Sequence, residues 1–361
     1  MSEGANERLS ECACLVNLFI YSFHPSIIQS FKLENMTQPT IRWGMIGAGD
    51  VAEVKSGPAF QRVEGSELVA LMRRNAEKAA DFARRHQVPE WYDDAATMLK
   101  QADINAVYVA TPPASHLEYA LMALEAGKDV YLEKPMAMNA AECQLINEAV
   151  RKSGRKLSVA HYRRGLAAFQ KVKELLVAGA IGTPKLALLR ILQPAKPSFI
   201  VETDTNWRVQ PEVSGGGLFH DIAPHQIDLM LHYFGEPIAY EGTSLNQARL
   251  YEADDLVNGS ILFENNVLFQ GTWAFSVPEA FAQEEVQIIG SEGSITFTFY
   301  GSEVQLQQGS HRQTFSFEHP PHIQQPMIEQ VVRYFQGKQE NPCPGEVGEK
   351  VIRIMNAFTA K

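Results

Sequence analysis

The chain is 361 residues long, 45% hydrophobic and 20% charged, which is enough to bury more than one ordinary core, so two domains are expected. A formal net charge of -10 with no lysine or arginine run leaves no basic surface for nucleic acid or an anionic membrane and favours a small-molecule partner. The four cysteines, Cys12, Cys14, Cys143 and Cys343, show no C-x-x-C pairing, so neither a disulfide framework nor a cysteine zinc site is indicated and a cytoplasmic protein with reduced thiols is expected.

No apolar run reaches the roughly 18 to 20 residues needed to cross a bilayer. The stretch Cys12 to Phe23 is moderately apolar but has no small-residue cleavage site after it, which makes a secretory signal the lesser reading. Met36-Thr37-Gln38-Pro39-Thr40 stands directly before the first strand, so residues 1–36 are read as an N-terminal extension and Met36 as the natural start.

From Ile41 to about Tyr162, short Val/Ile/Leu/Ala-rich runs alternate with helical patterns, the mark of a parallel sheet covered on both faces. The expected strands are Ile41 to Gly47, Glu67 to Met72, Asn105 to Thr111, Asp129 to Glu133 and Lys156 to His161. The expected helices are Asn75 to His86, Ser115 to Gly127 and Asn139 to Ser153. After a helix over Leu166 to Ala178 the texture becomes β-rich. Strands are read at Leu186 to Leu192, Ala239 to Ser244, Leu256 to Phe263, Val267 to Phe275, Glu285 to Ile289 and Ser294 to Tyr300, and helices at Gln325 to Gln336 and Gly345 to Ala360. The reading is an α/β protein: a doubly wound Rossmann domain over residues 37–162, then a second α/β domain over residues 163–361.

Four groups of residues carry chemistry. Gly47-Ala48-Gly49-Asp50-Val51-Ala52 fills G-x-G-x-x-G/A between a strand and a helix, the context in which the turn holds a pyrophosphate. Arg73 and Arg74 end the second strand where an NAD-specific domain carries an acid; guanidinium groups bind a 2′-phosphate, so NADP is expected over NAD, with solvated surface arginines as the bland alternative. Asp129 to Glu133 is a buried strand ending in Glu133-Lys134-Pro135, and Pro135 fixes the chain so that the Lys134 ammonium can be aimed.

The fourth group follows Ser214-Gly215-Gly216-Gly217. Pro224, tolerated in a helix's first turn, sets the helix start near Asp221, which places Asp221 and His225 four apart on one face. A helix N-terminus disfavours imidazolium and a carboxylate favours it, so His225 could exchange a proton near neutral pH with Asp221 orienting it. A plain N-cap and a packed histidine compete with that reading. So does a metal on the stripe Asp221, His225, Asp228 and His232, although one helix face rarely closes a coordination sphere and no metal is expected.

Together these pieces resemble the Gfo/Idh/MocA oxidoreductase family over about residue 41 to the C-terminus, with Ala110-Thr111-Pro112-Pro113, His116 and Tyr162-Arg163-Arg164 adding to the match. The resemblance implies a second domain built on a large, mostly antiparallel open sheet that makes a homodimer or homotetramer, and chemistry on sugars, polyols or related hydroxy and keto compounds. By position Lys134, Asp221 and His225 correspond to its catalytic residues. Thr111, Pro112 and His116 would lie near the nicotinamide, Glu133 and Lys134 beside the cofactor, and Tyr162, Arg163, Trp207, Arg208 and His225 on the substrate side. The expected reaction is hydride transfer to or from a secondary alcohol or ketone carbon. Its rivals are glycoside cleavage without net cofactor turnover and a non-catalytic sensor of NADP(H) or a metabolite.

Overall fold

The computed structural model describes residues 40–49, 52–197 and 206–360, which belong to one compact unit. The N-terminal extension, and with it the reading of Met36 as the start, lies outside the described residues, as do Asp50 and Val51 of the glycine-rich turn.

The first half is β1 (Ile41–Ile46), α1 (Gly57–Phe60), β2 (Ser66–Met72), α2 (Ala76–His86), β3 (Glu90–Tyr92), α3 (Ala95–Gln101), β4 (Ala106–Val109), α4 (His116–Glu125), β5 (Asp129–Leu132), α5 (Ala140–Ser153) and β6 (Leu157–Val159). Its strands form a six-stranded parallel sheet in the order β3-β2-β1-β4-β5-β6. β4 is buried at every position, as a strand covered on both faces must be. Helix ends follow local chemistry: the Asn75 and Asn139 side chains cap α2 and α5, and Gly154 closes α5 at φ +65°. The strand order reverses between β1 and β4, and a crevice opens outside their carboxyl ends, where such sheets bind ligands. β3 and α3 add to the expected elements.

The second half is α6 (Ala167–Val177), β7 (Pro184–Leu192), α7 (Pro211–Ser214), α8 (Leu218–Phe234), β8 (Pro237–Leu245), β9 (Leu256–Phe263), β10 (Leu268–Ala274), β11 (Gln283–Gly290), β12 (Ser294–Phe297), β13 (Glu303–Gln308), β14 (His311–Ser316), α9 (Gln325–Phe335) and α10 (Gly345–Thr359). An eight-stranded sheet runs β14-β13-β12-β11-β7-β10-β9-β8, antiparallel except for the β7–β10 pair. One face is closed by α8 and α10: Trp273 packs against Phe219 and Phe358, and Phe358 sits directly over Gly259. The other face carries the alternating residues Asn258, Gln270, Thr272 and Arg190.

Helix α8 corrects one expectation. It starts at Leu218, not near Asp221, so Pro224 lies in its second turn. Gly215, Gly216 and Gly217 have φ of +89°, +149° and +87° and bring the chain into the helix in a backbone conformation closed to other residues. Proline has no N–H to return to the His220 carbonyl, so the helix crosses Pro224 with one backbone bond fewer.

Candidate active site

The glycine-rich turn leaves β1 with the Gly47 and Ala48 amides both donating to the Met72 carbonyl, at 3.0 and 3.4 Å. Gly47 has φ +92°, and a β-carbon there would stand 2.8 Å from the Thr111 nitrogen, so the neighbouring loop leaves room for glycine alone. At Gly49 a β-carbon would meet, among the described residues, only the Gly47 carbonyl oxygen, at 3.9 Å, which suits close approach of an incoming group. Ala52, fully buried, begins a single π-helical turn that leads into α1.

Above this turn lies an open cavity of about 270 Å³, lined by Gly47 to Gly49, Arg73, Arg74, Thr111, Pro112, Tyr119, Trp207 and Arg208 among others. Arg73 donates to the Ala48 carbonyl at 3.0 Å and so lies along the turn itself, while Arg74 is exposed. Trp207 and Arg208, read from the sequence as substrate-side residues, line the same cavity as the glycine-rich turn, and the Arg208 guanidinium stacks on the Trp207 ring at 4.6 Å. Glycines that admit close approach, guanidinium groups and aromatic faces fit a dinucleotide.

At the end of β5, Lys134 donates from Nζ to the Asp221 carbonyl oxygen and to Asp221 Oδ1, both at 2.8 Å. Asp221 Oδ2 accepts from Arg208 Nε at 3.1 Å. Asp221 thus joins the lysine of the first sheet to the arginine beside the dinucleotide cavity. It occupies the fourth position of α8, which sets aside the plain N-cap reading. One turn on, His225 is buried, with the Tyr162 ring edge-on at 4.8 Å and the His161 ring at 6.0 Å.

Other candidates face the protein. His116 is fully buried, with Nε2 at 2.8 Å from the Thr111 carbonyl oxygen and Nδ1 at 2.9 Å from that of Pro135, so it ties together the turns that follow β4 and β5. Burial pushes its pKa down. Glu133 accepts from the Tyr108 hydroxyl at 2.6 Å, the Gln324 side-chain amide at 2.8 Å and the Lys134 main-chain N–H at 3.1 Å. Arg163 donates to the Phe299 carbonyl, and its guanidinium lies 4.6 Å from the centre of the Tyr300 ring.

The metal stripe also divides: Asp221 turns to Lys134 and Arg208, and Asp228 to Arg164. His161, Asp228 and Cys343 bring ligand atoms within 4.8 Å of one another, but both Asp228 oxygens already accept from Arg164, and burial pushes the Cys343 thiol well up. Sequence reasoning missed Tyr119, the Arg164–Asp228 pair and Gln324; no local pattern marks a glutamine whose partner lies 191 residues away.

No helix among the described residues is long and apolar enough to cross a membrane. The family model described as an oxidoreductase family with an NAD-binding Rossmann fold matches residues 41–161, and the model of the GFO/IDH/MocA C-terminal domain matches residues 169–296. An oxidoreductase of Formosa agariphila is 49% identical over 318 residues, covering 88% of this chain and 98% of its own. A 1,5-anhydro-D-fructose reductase of Ensifer adhaerens is 29% identical over 256 residues, covering 70% and 74%. The solved aldose-aldose oxidoreductase of Caulobacter crescentus shares the fold, with a TM-score of 0.78, 23% identity, and coverage of 88% of this chain and 96% of that one. The chain belongs to the Gfo/Idh/MocA family of NAD-binding oxidoreductases.

Proposed function

We propose that this oxidoreductase moves a hydride between a nicotinamide cofactor, NADP in preference to NAD, and a secondary alcohol or ketone carbon of a sugar, polyol or related compound. The observation that carries the reading is the Lys134 ammonium, held by the Asp221 carbonyl and carboxylate at the end of β5, the strand next to the one that leads into the Thr111-Pro112 turn. When bound, the cofactor supplies or accepts the hydride at nicotinamide C4. Gly47, Ala48 and Gly49 would hold its pyrophosphate together with Asp50 and Val51, and Thr111 and Pro112 would line the nicotinamide side. Arg73 and Arg74 would meet the 2′-phosphate.

An ammonium has three N–H donors, and two of those on Lys134 are spent on Asp221. The third would be given to the substrate oxygen, where positive charge stabilises the alkoxide as it develops. His225 would take the hydroxyl proton in oxidation and return it in reduction, with Asp221 keeping the lysine aimed. Tyr162, packed on His225, borders the same position from the substrate side. The substrate class is supported by two sugar-named proteins, the 29% identical anhydrofructose reductase and the aldose-aldose oxidoreductase of like fold. The face of the large sheet turned away from α8 and α10, with Leu186, Leu188 and Leu262 half-buried on it, is where a homodimer or homotetramer would form, and light scattering after size exclusion tests that.

The deciding experiment screens sugars, inositols, keto-sugars and anhydro-sugars with NADP and NAD while reduced-nicotinamide absorbance is followed. Lys134→Met is expected to lower kcat by about 100-fold or more with cofactor affinity unchanged. Arg73→Asp is expected to reverse the cofactor preference. Near-full turnover in Lys134→Met defeats the mechanism, NADPH affinity untouched in Arg73→Asp defeats the cofactor assignment, and sugar release without an absorbance change replaces dehydrogenation with glycoside cleavage.

A further inference from the structure

Glu133 is a buried carboxylate whose three hydrogen-bond donors are all neutral. The Tyr108 hydroxyl and Gln324 Nε2 both donate to Oε1, at 2.6 and 2.8 Å, which leaves Oε2 to receive the Lys134 main-chain N–H at 3.1 Å. Gln324 comes from the segment that leads into α9 and is itself buried, so its amide crosses from the end of the chain to the carboxyl edge of the first sheet. Its own Oε1 has no hydrogen-bond partner among the described residues.

We propose that Gln324 is a positioning residue: it fixes the Glu133 carboxylate, and Glu133 in turn fixes the Lys134 main chain from which the ammonium is aimed. The proposal rests on the reading of Lys134 given above. The arrangement brackets the lysine on both sides, because its N–H is held by Glu133 and the carbonyl of the next residue, Pro135, lies against His116. Without the Gln324 donor, Oε1 keeps only the Tyr108 hydroxyl, and the carboxylate is free to rotate. That rotation removes the acceptor from the Lys134 N–H and lets the ammonium drift from its place on Asp221. The cavity beside Gly47 to Gly49 is untouched, so the loss falls on kcat and not on cofactor binding.

The test uses the full chain and three variants, with NADPH affinity read by its fluorescence and backbone opening by amide exchange of the peptide that contains Lys134. Gln324→Leu removes the donor at similar size. Its expected result is a kcat about 10- to 100-fold lower on the best substrate of the screen, an NADPH Kd within about twofold, and faster exchange at Lys134. Gln324→Glu sets a second carboxyl against Glu133, and the two must share a proton. Its activity is expected to climb from about pH 8 to about pH 5 while Gln324→Leu stays low across that range, which a merely structural role would not produce. Tyr108→Phe removes the other donor to the same oxygen and should show the same exchange signature, so it decides the matter if Gln324→Leu fails to fold.

Unchanged exchange and kcat in Gln324→Leu and Tyr108→Phe overturn the proposal. NADPH affinity falling in step with kcat overturns it too, by making Glu133 a direct cofactor contact. A Gln324→Glu profile that tracks Gln324→Leu at every pH does the same. If Lys134→Met keeps full turnover while the exchange change in Gln324→Leu persists, the Glu133 contact stands but Lys134 loses its catalytic role, so the two failures are told apart.

Discussion

Asp221 and His225 reach the site on α8, and α8 is bound to the Tyr162–Gly165 turn by the buried pair Arg164 and Asp228. Arg164 donates from Nε and Nη2 to the two Asp228 oxygens, each at 2.8 Å, with the side chains only 9% and 1% exposed. Arg164 also donates from Nη1 to the Pro342 carbonyl at 3.0 Å, so the guanidinium cannot leave for solvent without breaking a third contact. Asp228→Asn keeps the shape and removes the charge: one guanidinium N–H then faces an amide N–H2, and the cation is left buried without its anion. Breaking one side of such a pair costs about 3 to 5 kcal/mol, which multiplies the unfolding constant by roughly 100 to several thousand. In urea, followed by the fluorescence of the buried Trp43 and Trp273, the midpoint should fall by about 1 M or more. The double variant Arg164→Met with Asp228→Leu removes both charges and should recover most of the loss. A single variant as stable as the parent, or a double variant no better than the single, would refute the electrostatic reasoning.

Two further outcomes follow from the same structure. Burial holds His161, His220 and His232 with pKa values down to about 4, against 6.5 when unburied, so each is neutral in the fold and takes up its proton more readily once unfolded. Their stabilising effect is complete above about pH 6.5 and is lost as pH falls toward about 4, with a slope approaching about 4 kcal/mol per pH unit in that window. Urea midpoints between pH 7.5 and 5 measure it, and His232→Gln should lower the slope by about 1.4 kcal/mol per pH unit. At Gly259 a β-carbon would stand 2.3 to 2.5 Å from Phe358 ring atoms. Gly259→Ala should therefore cost about 1 to 3 kcal/mol, recovered when Phe358→Leu is added, as thermal unfolding of the single and double variants would show.

The first sheet was legible because its signals are local. Buried parallel strands read as short apolar runs, and the helices between them announce themselves by Asn75 and Asn139 at one end and Gly154 at the other. The missing β3 is three residues long at the sheet's edge. α3 did carry a sign, Asp94 capping through the Thr97 N–H, that a longer apolar stripe would have made plain. The β13–β14 hairpin escaped because β14 is almost wholly exposed and its polar residues imitate a loop.

In the site, motifs gave residue types but not the direction each side chain takes. His116, Glu133 and Arg163 all turn inward, toward Pro135, Gln324 and Phe299, and those partners lie 19 to 191 residues away. Pro224 misled for a related reason: the first-turn rule describes an average helix, whereas three glycines and the packing of α8 carry this one back to Leu218.

The far edge of the six-stranded sheet is β6, and the chain's last stretch closes it. The Cys343 carbonyl accepts from the Val159 N–H at 2.9 Å, and the Asn341 amide donates to the Leu157 carbonyl at 2.7 Å. A bare strand edge is a template for pairing with other chains. Residues 40–162 produced alone would therefore carry an uncovered β6 and be prone to associate edge to edge, even with every dinucleotide-binding residue present. A ribosome would have to make nearly the whole chain before that first sheet could be sealed, which ties the solubility of the cofactor-binding half to the arrival of residues made more than 170 positions later.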